Sequence, residues 1–113
     1  MVQSFLAIIA VAILIVMSFR ANSHFGDQAR LPMQWGIDGS VNWSAPRRVA
    51  LSFTPALAAI VLAATTLVTL LFAPRPGQEG MEIPVVVMLG LGFIAAHAFH
   101  LWLIEKTTNR GGR

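Results

Sequence analysis

Two histidines, His97 and His100, lie inside the last of three long apolar stretches of the sequence. Their spacing places both imidazoles on one side of a helix. At membrane depth such a pair can bind a metal, ligate haem or relay protons, or it can bond a neighbouring helix and reach headgroup water. No further inward-facing His, Asp, Glu or Cys is available to complete a metal site. We therefore predict no metal, no cofactor and a structural or interfacial role for both side chains.

The composition indicates that membrane spans position these histidines. Hydrophobic residues make up 56% of the 113 residues and charged residues only 12%, whereas a soluble domain has about 25% charged residues. A helix needs about 20 residues to cross a bilayer, which predicts transmembrane helices at 2–19, 49–73 and 83–104. The fold class is therefore an all-α integral membrane protein, a single domain with a turn-rich interfacial loop at 20–48. A cleaved signal peptide is the alternative for the first stretch, although it lacks a basic start and a small-residue cleavage pattern.

The distribution of basic residues predicts the orientation of these spans. The first loop and the C-terminal tail share one side of the membrane, and Arg75 is the sole basic residue on the other. Because basic residues are retained in the cytoplasm, we expect the loop and the tail inside a bacterial inner membrane and the N-terminus outside. Arginines at the edges of apolar stretches also favour a lipid bilayer over nucleic acid as the partner. The basic residues of the predicted cytoplasmic side are Arg20, Arg30, Arg47, Arg48, Lys106, Arg110 and Arg113.

Packing faces are predicted from proline and from small residues. Pro55 lacks an amide hydrogen and should kink the second span near Leu51. Small side chains allow close approach of helices in lipid, so we expect them to hold the three spans together or to bind another subunit or a second copy. These residues are Ala56, Ala59, Ala63 and Thr66 on the second span and Gly92 and Ala96 on the third.

The segment "LPMQWGIDGSVNWSAPR", residues 31–47, is the polar exception in the sequence. Asp38-Gly39 favours a two-residue type I′ hairpin, and Trp35 and Trp43 on either side favour the membrane interface. We predict an ordered lid, with a plain surface loop anchored by two tryptophans as the alternative. Asn42 belongs to a formal glycosylation sequon, which the predicted cytoplasmic location makes irrelevant. No calcium loop, catalytic triad or paired carboxylates are complete, so we predict that the protein is not an enzyme.

The order of residues in this loop resembles a known bacterial domain. It resembles the N-terminal membrane domain of unknown function of SdpI-type immunity proteins. The matching order is an apolar span, Leu31-Pro32, the triplet Gln34-Trp35-Gly36, then Gly39, Val41 and Trp43, and a second span. The resemblance covers residues 1 to about 75. Gln34 and Gly36 stand where that family has His and Asn, and the spacer after Leu-Pro is shorter. The resemblance implies a membrane fold and protection against a membrane-active toxin.

Three functions are compatible with these features. The first is a small non-enzymatic membrane protein whose ordered loop acts on a membrane partner. The alternative is an accessory structural subunit of a larger bioenergetic complex. A membrane enzyme or transporter that uses the two histidines is the weakest, because three spans rarely enclose a pathway and the spans contain no charged residue in their interiors.

Overall fold

The computed structural model describes the backbone of residues 1–111 and the side chains of residues 1–109. Arg113 and the side chain of Arg110, both counted in the charge balance, lie outside the described residues. Three helices and one two-stranded hairpin follow each other along the chain. They are α1 (Val2–His24), β1 (Arg30–Trp35), β2 (Val41–Pro46), α2 (Arg47–Leu71) and α3 (Glu82–Gly111).

The three apolar stretches are confirmed as three helices long and apolar enough to cross a membrane. Less than a quarter of each apolar window is buried within the chain, 22%, 22% and 17% in order. The remaining apolar surface is far larger than a water-soluble monomer exposes, as expected of a multi-pass membrane protein. Two helices extend beyond the predicted spans: α1 continues through Arg20 to His24, and α3 continues to Gly111. The bounds of the spans themselves stay a prediction. The predicted helical fold class is confirmed for the three apolar stretches, and part of the 20–48 loop forms the two short strands.

Helix α1 packs against both α2 and α3 along its length. One face of α1 carries small and branched side chains at spacings of three and four residues, namely Ala7, Ala10 and Leu14. Helices α1 and α3 approach closely at Gly90, where an added Cβ would lie 3.0 Å from the Cβ of Ala10. The cluster that joins the three helices consists of Ala7, Ala10, Leu14, Ala58, Leu62 and Val86.

The small-residue faces predicted to hold the spans together are not the faces that pack. Ala56, Ala63, Gly92 and Ala96 are exposed, and Ala59 and Thr66 are half-buried. The buried face of α2 carries Leu51, Pro55, Ala58 and Leu62 instead. The prediction failed because α2 has alanines on more than one face, since successive residues point about 100° apart around a helix. The packing buries the face that also carries leucines. The other interpretation, contact with a second subunit or copy, stays a prediction.

Strands β1 and β2 pair antiparallel, with register shifts between Pro32 and Trp35. The Gly36 carbonyl accepts from the Gly39 amide at 3.0 Å, and the Gly36 amide donates to the Ser40 carbonyl at 2.8 Å. This pair of bonds defines a three-residue loop of a type I turn followed by a left-handed residue. Gly39 is that residue, with φ of +86°, while φ of Asp38 is not positive. The predicted hairpin is present, but the type I′ turn was wrong because Ile37 also belongs to the loop.

The carboxylate of Asp38 closes this loop. Its Oδ1 accepts from the Ser40 amide at 3.1 Å and from the Ser40 hydroxyl at 2.7 Å. These two bonds favour the ionised form, and they hold the pKa of Asp38 below its usual value. The turn is therefore stabilised by hydrogen bonds among its own residues.

Replacing Gly39 by valine should loosen the hairpin without preventing membrane insertion. A β-branched residue at this positive φ costs about 1–3 kcal/mol, although no atom would lie within 4 Å of the added Cβ. Trypsin should then cleave at Arg30 or Arg47 faster than in the wild type. Gly39→Asn is the matched control, because asparagine tolerates the left-handed region and should change the rate less. Equal cleavage of wild type and Gly39→Val would show that the loop is a floppy tether.

Candidate functional site

The hairpin is docked on one end of the helical bundle through an apolar contact. Leu31 of β1 is fully buried, and Ala45 of β2 is 5% exposed. Both side chains lie over the ends of all three helices, so the hairpin covers the bundle instead of extending away from it. The cluster comprises Ala21, Phe25, Leu31, Ala45, Ala50, Leu51 and Ile104.

Two polar contacts fix β1 to α3. The His100 Nε2 atom donates to the carbonyl of Pro32 at 3.2 Å, and the indole N–H of Trp35 donates to Thr107 Oγ1 at 2.8 Å. The rings of Trp35 and His100 also meet edge to face, with centroids 5.8 Å apart. The extension of α3 beyond its predicted end is what places Thr107 within reach. His100 therefore anchors the hairpin, a partner that its sequence position did not reveal.

Arg47 fixes the other side of the hairpin at the junction of β2 and α2. Its guanidinium donates to Asn22 Oδ1 at 2.8 Å and to the carbonyls of Gly26 and Gln28 at 3.2 and 2.6 Å. Its backbone amide donates to the carbonyl of Ala29 at 3.0 Å. The planar guanidinium has several donors in a fixed geometry, so one side chain satisfies the turn that follows α1. Sequence reasoning had used Arg47 only as a charge that sets orientation.

A partly buried polar chain joins the three helices beneath the hairpin. Ser18 Oγ donates to the carbonyl of Leu51 at 2.6 Å and lies 2.8 Å from His97 Nε2. Because the hydroxyl has one hydrogen and gives it to Leu51, His97 Nε2 must be the donor in the second bond. This assigns the Nε2–H tautomer to His97. The Nδ1 atom is then an acceptor, and it has no partner within the part of the chain that the structure describes. His97 is fully buried.

Pro55 explains why the Leu51 carbonyl is free to accept from Ser18. In a regular helix the amide of residue 55 would donate to the carbonyl of residue 51, but proline has no amide hydrogen. The predicted consequence was a kink near Leu51. Helix α2 continues from Arg47 to Leu71 past a buried Pro55, and the kink stays a prediction. Ser18 of α1 supplies the missing donor. Sequence reasoning missed Ser18, although the carbonyl four residues before a proline in a span is a signal to look for such a donor.

The two histidines thus share one helix face but have separate structural partners. Each uses its Nε2 atom for a bond to another element of the chain. No group of three or more potential metal ligands occurs among the residues described. The expectation that the protein needs no metal or haem stays a prediction, and the geometry assigns His97 to helix packing and His100 to hairpin docking.

The outer side of the hairpin is apolar and exposed. Ile37, at the tip, is fully exposed, and Trp43 is 51% exposed. Trp43 lies beside Gln34 on the opposite strand, and its indole N–H donates to Gln34 Oε1 at 3.0 Å. The two tryptophans therefore differ, because Trp35 faces the helices while Trp43 faces outward. Among the predicted motif residues, Leu31, Pro32 and Trp35 face the bundle, whereas Gln34, Asp38, Gly39, Val41, Asn42 and Trp43 are exposed.

The fold and site together define a helical membrane protein with three candidate spans and a β-hairpin fixed across one end. Comparison of the chain with protein-family models, with curated proteins and with solved structures found no match. The resemblance of the loop to the SdpI-type domain therefore stays a prediction, and the geometry of the hairpin is the basis for assigning a function.

Proposed function

We propose that this chain is a small non-enzymatic protein of the bacterial inner membrane whose docked hairpin acts on a membrane partner. The observation that carries the proposal is the two-sided hairpin. Its inner side is fixed by Leu31, His100 and Trp35, while its outer side presents Ile37 and Trp43. A rigid surface that displays aromatic and aliphatic side chains binds at a low entropic cost. The SdpI-type resemblance supports a partner of the membrane-active toxin class.

The alternative proposal is an accessory subunit of a larger membrane complex. It is supported by the small-residue faces that the chain leaves uncovered, namely Ala56 and Ala63 on α2 and Gly92 and Ala96 on α3. An added Cβ at Gly92 would meet nothing within 4 Å. In lipid, such faces permit close contact with another helix. Under this proposal the hairpin stabilises the subunit, and the contacts that matter are made by the spans.

Photocrosslinking from the hairpin tip separates the two proposals. A photoreactive residue at Ile37 should give a discrete protein adduct in native membranes, and the same residue at Leu57, an exposed position of α2, should give only lipid adducts. Two further variants test whether the adduct requires a docked hairpin. Leu31→Ala removes a buried anchor and should abolish the adduct, whereas Val41→Ala should not. Adducts from Leu57 together with copurification of a stoichiometric large complex in mild detergent would favour the accessory subunit instead.

The proposed orientation places the hairpin in the cytoplasm. Ile37→Cys and Glu79→Cys lie at exposed positions at opposite ends of the bundle. In intact cells an impermeant thiol reagent should label the variant at residue 79 and not the variant at residue 37, because basic residues are concentrated at the hairpin end. Permeabilised cells provide the control in which both variants are labelled. Labelling at residue 37 alone in intact cells would reverse the orientation.

A further inference from the structure

A cavity of about 400 Å³ lies between α1 and α3, at the end of the bundle that carries the hairpin. Its α1 wall is one helix face, since Met17, Arg20 and His24 follow each other at spacings of three and four residues. Ala98 and Glu105 line the α3 wall. The His24 Nε2 atom lies 3.0 Å from Glu105 Oε1, so these two residues are at the same depth and form the polar end of the cavity.

Two opposite charges line this cavity without pairing with each other. Arg20 of α1 is exposed, and no carboxylate of the described residues lies within 4.0 Å of its guanidinium. Glu105 of α3 uses Oε1 for His24, and its second oxygen is an acceptor that this contact leaves available. A single ligand that carries both an anion and a hydrogen-bonding cation would therefore satisfy both walls.

The order of groups along the helices matches one phospholipid within one leaflet. Along α1, Arg20 lies about 4.5 Å beyond Met17, and His24, at the level of Glu105, lies about 6 Å further, at 1.5 Å per residue. The predicted spans end at residues 19 and 104, which places both charged groups at the edge of the hydrocarbon and the apolar end inside it. Trp102 also lines the cavity and is 51% exposed, as expected for an indole in the headgroup layer.

We propose that this cavity binds a phospholipid with a primary-amine headgroup, phosphatidylethanolamine, with its phosphate at Arg20 and its ammonium at Glu105. The guanidinium suits the phosphate, which all phospholipids share. The carboxylate selects among headgroups, because a primary ammonium donates hydrogen bonds to it. Choline has no N–H group to donate, and phosphatidylglycerol has no cation to offer Glu105. The acyl chains would start beside Met17 and Ala98 and continue in the same leaflet.

Native mass spectrometry of the full chain, released from detergent with lipids of equal acyl chains, tests the headgroup selection. The wild type should retain one phosphatidylethanolamine more strongly than phosphatidylcholine or phosphatidylglycerol. Glu105→Gln keeps an acceptor for His24 but should lower the preference over phosphatidylcholine about tenfold, the low end for a hydrogen bond to a charged group. Asp27→Asn is the matched control, because it removes an exposed carboxylate at the same end but outside the cavity.

The arginine should have a different effect from the glutamate. Arg20→Gln should weaken phosphatidylethanolamine and phosphatidylcholine equally, by about fivefold, because it removes the contact to the phosphate that they share. Arg48→Gln removes an exposed arginine at the same end but outside this cavity, and it should leave both affinities unchanged. Equal effects of the two arginine variants would contradict the assignment of the phosphate to Arg20.

Filling the apolar end provides a test independent of charge. Ala98→Phe should lower the occupancy of every phospholipid, whereas Ala96→Phe, at an exposed position of α3 outside the cavity, should not. Circular dichroism of both variants verifies that the helices are retained. A wild type without preference for phosphatidylethanolamine would overturn the proposal, as would equal effects of Glu105→Gln and Asp27→Asn. Free phosphoethanolamine that binds as strongly as the lipid would show that the ligand is not a lipid.

Discussion

Replacing Ser18 by alanine should destabilise the helical bundle by about 2 kcal/mol, more than an average hydrogen bond between transmembrane helices. The hydroxyl is the acceptor for His97 Nε2 and the donor to the Leu51 carbonyl, so its loss leaves two polar groups without partners away from water. Reversible unfolding in mixed micelles, at increasing fractions of denaturing detergent, measures the change. Ser52→Ala is the matched control, because Ser52 is exposed on α2 and should tolerate the substitution.

The role of Pro55 makes this prediction specific. In a Pro55→Ala background the amide of residue 55 can bond the Leu51 carbonyl, so Ser18→Ala should then cost only about 1 kcal/mol, from the unpaired His97. The difference between the two backgrounds is the coupling energy of Ser18 and Pro55. The same cost in both backgrounds would show that the Leu51 carbonyl does not depend on Ser18.

Replacing Leu31 by alanine should release the hairpin from the bundle. Leu31 is fully buried, and truncation of a buried leucine costs about 2–5 kcal/mol. Most of this change lowers the free energy of local opening of the hairpin, because the spans remain inserted through their own hydrophobicity. A loss of about 3 kcal/mol raises the open population roughly a hundredfold. Tryptic cleavage at Arg30 and Arg47 should accelerate by a similar factor while opening remains fast relative to cleavage.

Val41→Ala is the control for this experiment. Val41 pairs with Trp35 in the hairpin but is 41% exposed, so its truncation should change the cleavage rate only a few fold. If Leu31→Ala and Val41→Ala accelerated cleavage equally, the buried contact of β1 with the helix ends would not be what holds the hairpin. The His100–Pro32 and Trp35–Thr107 bonds would then have to account for the docking alone.

Features that depend on local sequence could be predicted well. The three helices follow from long apolar stretches without charge, and the hairpin follows from the Gly39 turn between two short segments that end in Trp35 and begin at Val41. The predicted turn type was wrong for a local reason. A three-residue loop and a two-residue loop differ only in whether Ile37 belongs to the loop or pairs with the opposite strand. The hydrogen bonds of Gly36 decide this, and no residue type in the segment does.

Features that depend on which helix faces which could not be predicted from the sequence. Small residues occur on two faces of α2, and the packing buries Ala58, while Ala63 remains exposed. Likewise an added Cβ at Gly90 would meet Ala10, while an added Cβ at Gly92 would meet nothing within 4 Å. The bond between Ser18 and His97 joins residues 79 positions apart, and a single sequence does not specify such a pair. The choice is made by three-dimensional packing, which selects one face of each helix.

Amide hydrogen exchange of the protein in lipid nanodiscs tests the central claim, that the hairpin is an ordered structure fixed to the helices. Residues 30–46 form the paired strands and their turn, and residues 72–81 connect α2 to α3 as an internal comparison of a short loop. We expect the strand amides of 30–46 to be protected at least tenfold over the amides of 72–81, a local opening free energy of about 1.4 kcal/mol or more. Leu31→Ala should remove this protection while the helices keep theirs. Exchange of 30–46 as fast as that of 72–81 in the wild type would contradict the account.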